Sequence, residues 1–430
     1  MKRLCLIFAV AVLAIPLSFV TAAWAAVTEQ VLFNFHGGAY GNVPGFFVRD
    51  ASGNIYGTLG EGGNTTCTGG CGLVYKLTPS NGHYVESIIH AFTGGNDGAS
   101  PSGILMDANG NLFVSAPYGG VTKCLHGCGA IVEFSPIKAG GYKMTVLFDF
   151  AGGIGGNLPQ LTMMDAQGNL YGFANAGTSG EVFQLSSSGD TWTKKALYIF
   201  KGGTDGVAGF PYVIDASGNI YGVAGRGGIT NSNCSSGCGV VFELTPTVSG
   251  MWTESVLYSF TGTPDGANPN TLLTDGNGNF FGTTENGGTG TNAKCGNFTP
   301  FGCGTLFELS PSSGGYTETV LHDFNAVLDG YIPDALVMDG SGNLFEASFS
   351  GGVGGSGVAL EFTLGSDGIW EYTNLHSFAD GKGGGIPFEL LLDSSGNVFG
   401  GTAIGGSQNF GTLFELSRTA TKASDSHAQN

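Results

Sequence analysis

Charge is scarce in this chain, and positive charge is scarcest. Only 11% of its 430 residues are charged, and 15 Lys and Arg stand against 33 Asp and Glu, so the formal net charge is -18. Nucleic-acid binding depends on basic side chains that displace counterions from phosphates, so this balance argues against a nucleic-acid partner. Hydrophobic residues nonetheless make up 41% of the chain, which excludes an intrinsically disordered protein.

Familiar catalytic and cofactor motifs are missing as well. The sequence contains no G-x-S-x-G nucleophile elbow, no H-E-x-x-H and no P-loop. The few histidines are scattered, and we expect His90, His322 and His376 to face outward from an edge strand. We therefore predict neither a cofactor nor a metal centre, and function has to be argued from architecture.

Long apolar runs are absent after the first 26 residues. Lys2 and Arg3 precede an apolar stretch from Leu4 to Val20, and Ala23-Trp24-Ala25 resembles a signal-peptidase site. We predict that residues 1–26 are a signal peptide, although an uncleaved anchor helix is the alternative. No later segment is long and apolar enough to span a bilayer. The mature protein is thus expected to be secreted, periplasmic or at the cell surface.

Eight of the nine cysteines follow the predicted signal peptide, and they come in local pairs. Export and an even number favour disulfides over zinc, which needs four converging ligands. Each bond would close a very short loop and fix its shape. The predicted pairs are Cys67 with Cys71, Cys124 with Cys128, Cys234 with Cys238, and Cys295 with Cys303.

A turn motif recurs seven times along the chain and defines seven repeats. Its pattern is Asp-x-x-Gly-Asn, beginning at Asp50, Asp107, Asp165, Asp215, Asp275, Asp339 and Asp393. Asp and Asn hydrogen-bond nearby backbone in such turns, and Gly supplies the positive φ. Calcium binding is the alternative, but calcium loops need several more oxygen ligands per site, so we favour a structural turn.

Each repeat contains four strand-like segments, except that the last lacks its fourth. A continuous apolar segment precedes the turn, a second strand follows it, a third resembles Gly72 to Leu77, and the fourth alternates and ends in Phe, as at Phe92. The missing fourth copy stands at the N-terminus, from Val27 to Phe35. This permutation predicts an all-β fold, a seven-bladed β-propeller over residues 27–416 whose N-terminal strand closes the last blade. A linear solenoid would instead need capping repeats. The tail, residues 417–430, is predicted to be disordered.

The two ends of such a propeller differ. The loops between second and third strands and the crossovers between blades share one end, which we call the loop-rich face, and the regular turns share the other. Function commonly lies on loops held by a rigid scaffold. One position on the loop-rich face varies within a constant Gly-Gly frame, so we take four of its residues as candidate binding residues, with free surface drift as the alternative: Glu61, Tyr118, Arg226 and Asn286.

Aspartates in the crossovers form a second candidate set. They precede Gly in ordinary turn dipeptides, yet they are also candidates for acids at the mouth of the central channel. The four are Asp97, Asp205, Asp265 and Asp329.

The combined frame, best seen in residues 219–269 and 279–333, resembles the GloVer tandem-repeat family of exported bacterial proteins. The resemblance implies an exported or surface protein, often with a C-terminal sorting anchor. No apolar helix and basic end follow Leu416, which favours release or periplasmic residence. More loosely, the segment of each repeat from the proline through the Asp-x-x-Gly-Asn turn is similar to the opening of blades in NHL and streptogramin-lyase propellers. The lyase's catalytic His and Glu have no counterpart here.

We therefore expect an exported, monomeric binding or scaffold protein that contacts a glycan or a protein at the loop-rich face. The expectation leans away from an enzyme. The alternatives are a polysaccharide lyase or hydrolase that uses the crossover aspartates, and a structural envelope protein without a ligand.

Overall fold

The computed structural model describes residues 27–120, 123–290, 295 and 302–418. The predicted signal peptide lies outside the described residues, as does the tail from residue 419. The last strand includes Ser417 and Arg418, which corrects the predicted start of the tail by two residues.

Seven antiparallel sheets make up the described chain, which confirms the predicted seven-bladed propeller. In blades 1 to 3 the strands are β2 (Asn42–Arg49), β3 (Ile55–Glu61), β4 (Leu73–Ser80), β5 (His83–Ala91), β6 (Ile104–Met106), β7 (Leu112–Ala116), β8 (Ala130–Pro136), β9 (Tyr142–Asp149), β10 (Asn157–Met164), β11 (Leu170–Asn175), β12 (Glu181–Ser188) and β13 (Thr191–Ile199). Those of blades 4 and 5 are β14 (Val207–Ile214), β15 (Ile220–Arg226), β16 (Val240–Pro246), β17 (Trp252–Ser259), β18 (Ala267–Pro269), β19 (Leu273–Thr274), β20 (Phe280–Asn286), β21 (Thr305–Ser312) and β22 (Gly315–Asp323).

Blade 6 consists of β23 (Tyr331–Met338), β24 (Leu344–Ser350), β25 (Val358–Leu364) and β26 (Trp370–Ser377). Blade 7 has β27 (Gly385–Leu392), β28 (Val398–Ile404) and β29 (Thr412–Arg418), with β1 (Val27–Asn34) as its fourth strand. Four crossovers contain a short 3₁₀ turn: Gly38–Tyr40, Gly153–Gly155, Gly203–Asp205 and Gly381–Gly383.

The N-terminal strand closes the ring as predicted. β1 pairs antiparallel with β29, from Val27 opposite Arg418 to Asn34 opposite Thr412. At the same joint the Oδ1 atom of Asn34 accepts a hydrogen bond of 2.7 Å from the Ser407 amide. This antiparallel pairing of the first and last described strands removes the open edge that β29 would otherwise expose.

The core is divided into seven apolar clusters, one between each pair of adjacent blades. The Phe that ends each fourth strand lies in such an interface and is at most 2% exposed. Phe150, for example, packs edge-on against Phe183 of the next blade at a centroid distance of 5.4 Å. The terminal Phe residues therefore join each blade to the next.

The repeated glycines let neighbouring blades approach closely. A Cβ atom on Gly72 would lie 2.4 Å from Cδ of Pro101 in the next blade, far inside contact distance. Ser100, which precedes Pro101, has φ of 51°. The backbone amide of Ser100 donates a hydrogen bond of 2.8 Å to the Cys71 carbonyl. This left-handed conformation is uncommon for a non-glycine residue, and the inter-blade hydrogen bond offsets part of its cost.

The regular turns behave as structural turns. The Oδ1 atom of Asp50 accepts hydrogen bonds from the amides of Ser52 and Asn54, and its Oδ2 atom accepts from the Asn54 side chain at 2.7 Å. Burial would raise the pKa of Asp50, but the hydrogen bonds from Asn54, Tyr56 and Ser52 outweigh it and leave this pKa below its ordinary value.

Candidate functional site

The first strands of all seven blades surround a central channel. They form a closed series in which each contacts the next, from β2 through β6, β10, β14, β19, β23 and β27 back to β2. A cavity of about 330 Å³ lies within this channel and is lined by residues of every blade. Cavities of this size are large enough for a small ligand, so we take this one as the candidate site.

Polar side chains enter the cavity at places where the first strands depart from their apolar pattern. Gln160, Asn270, Asp334 and Glu389 line it together with the phenol of Tyr212. Several first strands carry a register shift near these residues, as between Pro333 and Ala335 and between Pro387 and Glu389. Such bulges redirect side chains, which explains how a strand read as continuously apolar presents carboxylates to the channel.

Asn270 ties three blades together at the cavity wall. Its Oδ1 atom accepts a hydrogen bond of 2.7 Å from Thr283, and its Nδ2 atom donates to the Pro333 carbonyl at 2.8 Å. The Tyr212 hydroxyl of blade 4 donates to the Asn270 carbonyl at 2.6 Å. Because Asn270 lies in the gap between β18 and β19, its irregular backbone is fixed by these contacts, and the wall is rigid before a ligand arrives.

The carboxyl groups of the cavity perturb one another. The pKa of Asp334 is raised to about 6, mainly by burial and also by the charge of Glu285, while the hydrogen bond from Asn270 acts in the opposite direction. Burial raises the pKa of Glu389 well above its ordinary value, and nearby Asp334 adds to this effect. Burial is also the main reason that the pKa of Tyr212 is raised, with smaller contributions from Asp334, Glu389 and Glu285. The cavity is therefore an acidic site in which protons are held more tightly than in water.

Arg226 is the predicted loop residue that connects most directly with this cavity. Burial raises the pKa of Glu285, and a hydrogen bond with Asn268 and the charge of Arg226 both oppose that rise. Glu285 in turn acts on Asp334. The exposed Arg226 is thus linked to the cavity through the charge of Glu285.

The other three variable loop residues have separate surroundings. Glu61 accepts a hydrogen bond of 3.0 Å from the Asn42 side chain of its own blade. Tyr118 is 39% exposed and lies edge-on to His126 at 6.3 Å between ring centroids. Asn286 follows Glu285, and its Oδ1 atom is buried with no hydrogen-bond partner among the described residues. The structure does not bring Glu61 and Tyr118 into contact with the cavity residues.

The four crossover aspartates are bound by the outer strand of the blade that precedes them. Asp97 and Asp329 face His90 and His322 at 3.0 and 2.8 Å, and Asp205 and Asp265 accept hydrogen bonds from Tyr198 and Tyr258 at 2.6 and 2.8 Å. Backbone amides complete each site, as Thr93 does for Asp97 at 2.9 Å. These contacts give the carboxylates a role in fixing the crossovers.

The expectation that His90, His322 and His376 face outward is wrong. His90 and His322 turn inward to their aspartates and are only 24% and 16% exposed at the side chain. His376 lies 3.8 Å from Glu29. Its own crossover has Gly383 where the four described above have aspartate, and the closing strand β1 supplies the carboxylate instead. The spacing of seven residues between His or Tyr and Asp in the sequence was a signal for these pairs.

Four disulfides join the predicted cysteine pairs, with Cα atoms 5.0 to 5.2 Å apart. Three of them pack on the crossover that follows. A Cβ atom on Gly94 would lie 2.7 Å from the Cys67 sulfur, and Gly152 stands in the same relation to Cys124. The disulfides thereby support the loop-rich face around the channel.

Repeat similarity then places the chain among known proteins. The Gloeobacter/Verrucomicrobia repeat matches residues 20–232, 126–300 and 227–429, which together cover nearly the whole chain. The chain belongs to the Gloeobacter/Verrucomicrobia repeat family. No curated protein matches it significantly.

Solved structures resemble this Gloeobacter/Verrucomicrobia repeat protein in fold. One is the extracellular domain of a protein from B. thetaiotaomicron, described as a hybrid two-component system, with 13% identity and a TM-score of 0.53 over 89% of this chain and 39% of that chain. Another is a protein from Lactobacillus plantarum with 11% identity and a TM-score of 0.50, covering 77% of this chain and 83% of that chain. The chain thus spans about two fifths of the first structure, and at these identities the likeness shows the propeller fold alone.

The sequence interpretation missed the cavity residues of this repeat protein. Asp334 and Glu389 stand in segments that we read as buried strands, and only a comparison of the seven copies reveals them as polar exceptions. Which of those exceptions faces the channel depends on the bulges, and these are not visible in the sequence. Among the described residues, no helix is long and apolar enough to cross a membrane.

Proposed function

We propose that this repeat protein is an exported binding protein that holds one sugar unit of a glycan in its central channel. The observation that carries the proposal is the lining of the cavity, where aromatic rings and hydrogen-bonding groups face the same space. Phe46 and Phe388 offer apolar surface, and Asn270, Gln160 and Asp334 offer donors and acceptors. A pyranose has an apolar face and a ring of hydroxyls, so it needs both kinds of contact.

Export fits the rest of the molecule. Disulfides persist in oxidising compartments, and four are present here. One structure of similar fold is an extracellular domain. We do not propose catalysis by the crossover aspartates, since each is engaged by the outer strand of the preceding blade.

Glycan arrays and isothermal titration calorimetry on the mature protein test this proposal. Phe46 is 40% exposed at the cavity, so Phe46→Ala should leave the fold intact and weaken the best glycan by about tenfold, equivalent to about 1.4 kcal/mol of lost stacking. Phe349→Ala is the matched control, because Phe349 is 37% exposed and does not line the cavity. Equal losses in the two variants, or no glycan bound at all, would contradict the proposal.

Protein binding at the loop-rich face is a second candidate. Large apolar side chains are exposed there, including Leu125 at 91%, Ile154 at 84% and Val353 at 78%. Exposed apolar side chains are a feature of macromolecular contact surfaces, although the opposite face also exposes Val248 and Met251, at 112% and 68%. In that case Leu125→Ser and Val353→Ser would abolish binding to the partner, whereas Phe46→Ala would leave it unchanged.

A further inference from the structure

The charge inside the channel is of one sign. Asp334 and Glu389 line the cavity, and Glu285 lies within electrostatic reach of Asp334. None of the described residues that line the cavity is Lys, Arg or His. Carboxylates that are drawn together out of water repel one another and lose hydration, so their free energy falls when a cation joins them.

Glu346 adds a buried acceptor to this group. Five of the seven repeats have glycine at its position. Glu346 fits because its cross-strand partner is Leu360, where those five repeats have an aromatic ring. The residue is 0% exposed, its Oε1 atom accepts a hydrogen bond of 2.8 Å from Ser348, and its Oε2 atom has no partner among the described residues. Burial raises its pKa well above the ordinary value, and Ser348 opposes this rise while Asp329 and Asp334 add to it. An unpaired buried carboxyl oxygen is costly, and this one belongs to a residue that interacts electrostatically with Asp334 of the cavity wall.

Thr162 adds an uncharged group in the cavity wall. It lines the cavity, and its Oγ1 atom is buried without a hydrogen-bond partner among the described residues. Unsatisfied buried polar atoms are rare in folded proteins and call for an explanation. A ligand that brings both a cationic donor and hydroxyl groups would satisfy the carboxylates and this hydroxyl together.

We propose that the sugar unit in the channel is an amino sugar, whose ammonium group lies between Asp334 and Glu389 while its ring contacts Phe46 and Phe388. The inference rests on the proposed glycan binding and specifies its ligand class. A charge-assisted hydrogen bond to a carboxylate is about twice as strong as a neutral one, so the charged unit is preferred over a neutral isostere. A metal ion is disfavoured as the cation, because no three His, Cys, Asp or Glu among the described residues are placed to hold one.

Matched oligosaccharides test the inference by calorimetry on the mature protein. The probes are gluco- and galacto-configured oligosaccharides of one length that carry at C2 a free amine, an acetamide or a hydroxyl. We expect the amine form in one series to bind at least about tenfold more tightly than both neutral forms, and this advantage to shrink as salt rises.

Two double variants test whether Asp334 and Glu389 produce the preference for the amine. Asp334→Asn with Glu389→Gln should remove the preference for the amine, and these substitutions relieve repulsion and so are expected to fold. Asp190→Asn with Glu371→Gln makes the same chemical change at exposed positions outside the cavity and should keep the preference. Equal binding of amine and neutral forms would overturn the inference but leave the proposed function standing. Retention of the preference in the channel variant would also overturn it, and a failure of every probe to bind would count against both.

Discussion

At the scale of single residues, the repeat is maintained by positions that change together. A second-strand glycine faces a third-strand aromatic in five blades, and a Cβ atom on Gly400 would lie 2.1 Å from Cζ of Phe414. In blade 2 both positions are valine, Val114 opposite Val132. The two combinations fill the same space in different ways, as close packing requires.

This exchange predicts a compensating pair of substitutions. Gly400→Val alone should overpack the blade and destabilise the protein by about 1 to 3 kcal/mol, because the three atoms nearest to a Cβ there all belong to the Phe414 ring. Phe414→Val alone should leave a cavity and cost a similar amount or more. The double variant reproduces the natural valine pair of blade 2. Its loss of stability should therefore be clearly smaller than the sum of the losses in the two single variants. Urea unfolding of the four proteins measures the coupling, and strict additivity would refute the packing account.

At the scale of strands and blades, glutamates on the outer strands face the preceding blade. The pKa of Glu254 is raised to about 8, mainly by burial and also by its contact with Asp205, while the charge of Lys201 opposes the rise. Burial likewise raises the pKa of Glu318 to about 7, with Asp265 as the next contribution, and that of Glu86 to about 7. The blade interfaces therefore bind protons that the unfolded chain would release.

Stability should consequently decrease as the pH rises. A glutamate whose pKa is raised in the folded protein binds more protons folded than unfolded, so its contribution is complete below about pH 4.5 and is lost as the pH passes through 7 to 8. We expect the free energy of unfolding to fall from pH 5 to pH 8.5 in denaturant titrations. Glu318→Gln should reduce the dependence by about 1 kcal/mol after solvent screening. A stability that rises across this range would contradict the assignment.

The sequence predicts those elements best whose residues form the same local contacts in every repeat. The seven turn motifs and the terminal Phe residues report the blades directly, because each copy repeats the same local hydrogen bonds and packing. The start of a strand is less visible in the sequence. Strand β2 begins at Asn42, ahead of the apolar segment, because the neighbours of the left-handed Val43 already pair with β3. The site was not predictable in the same way, since the orientation of Asp334 and Glu389 is set by bulges and by seven strands distant in sequence.

At the scale of the whole molecule, one strand from the start of the chain completes the ring. β1 supplies the fourth strand of blade 7, places Glu29 beside His376 of blade 6, and buries Phe35 to 1% exposure. The ring is the frame that holds all seven first strands around the channel. Opening the ring would therefore also change the shape of the cavity.

Deletion of Val27 to Phe35 should therefore open the ring. We expect a melting temperature lower by more than about 10 °C and self-association, because β29 would present an unpaired edge and Phe414 would lose cover. Circular dichroism and light scattering measure both effects. Removal of residues 419–430 is the control, and the sequence interpretation of the tail predicts no change. Unaltered melting and a monomeric state after the first deletion would show that the closure is wrong.

The central claim is that the channel cavity of the closed ring is the ligand site. A crystal structure of the mature protein with its tightest-binding oligosaccharide tests this most directly. We expect density for one sugar unit within the ring of first strands, in contact with Asp334, Glu389 and Phe46. Density confined to the loop-rich surface, with the channel side chains unmoved and untouched, would contradict it.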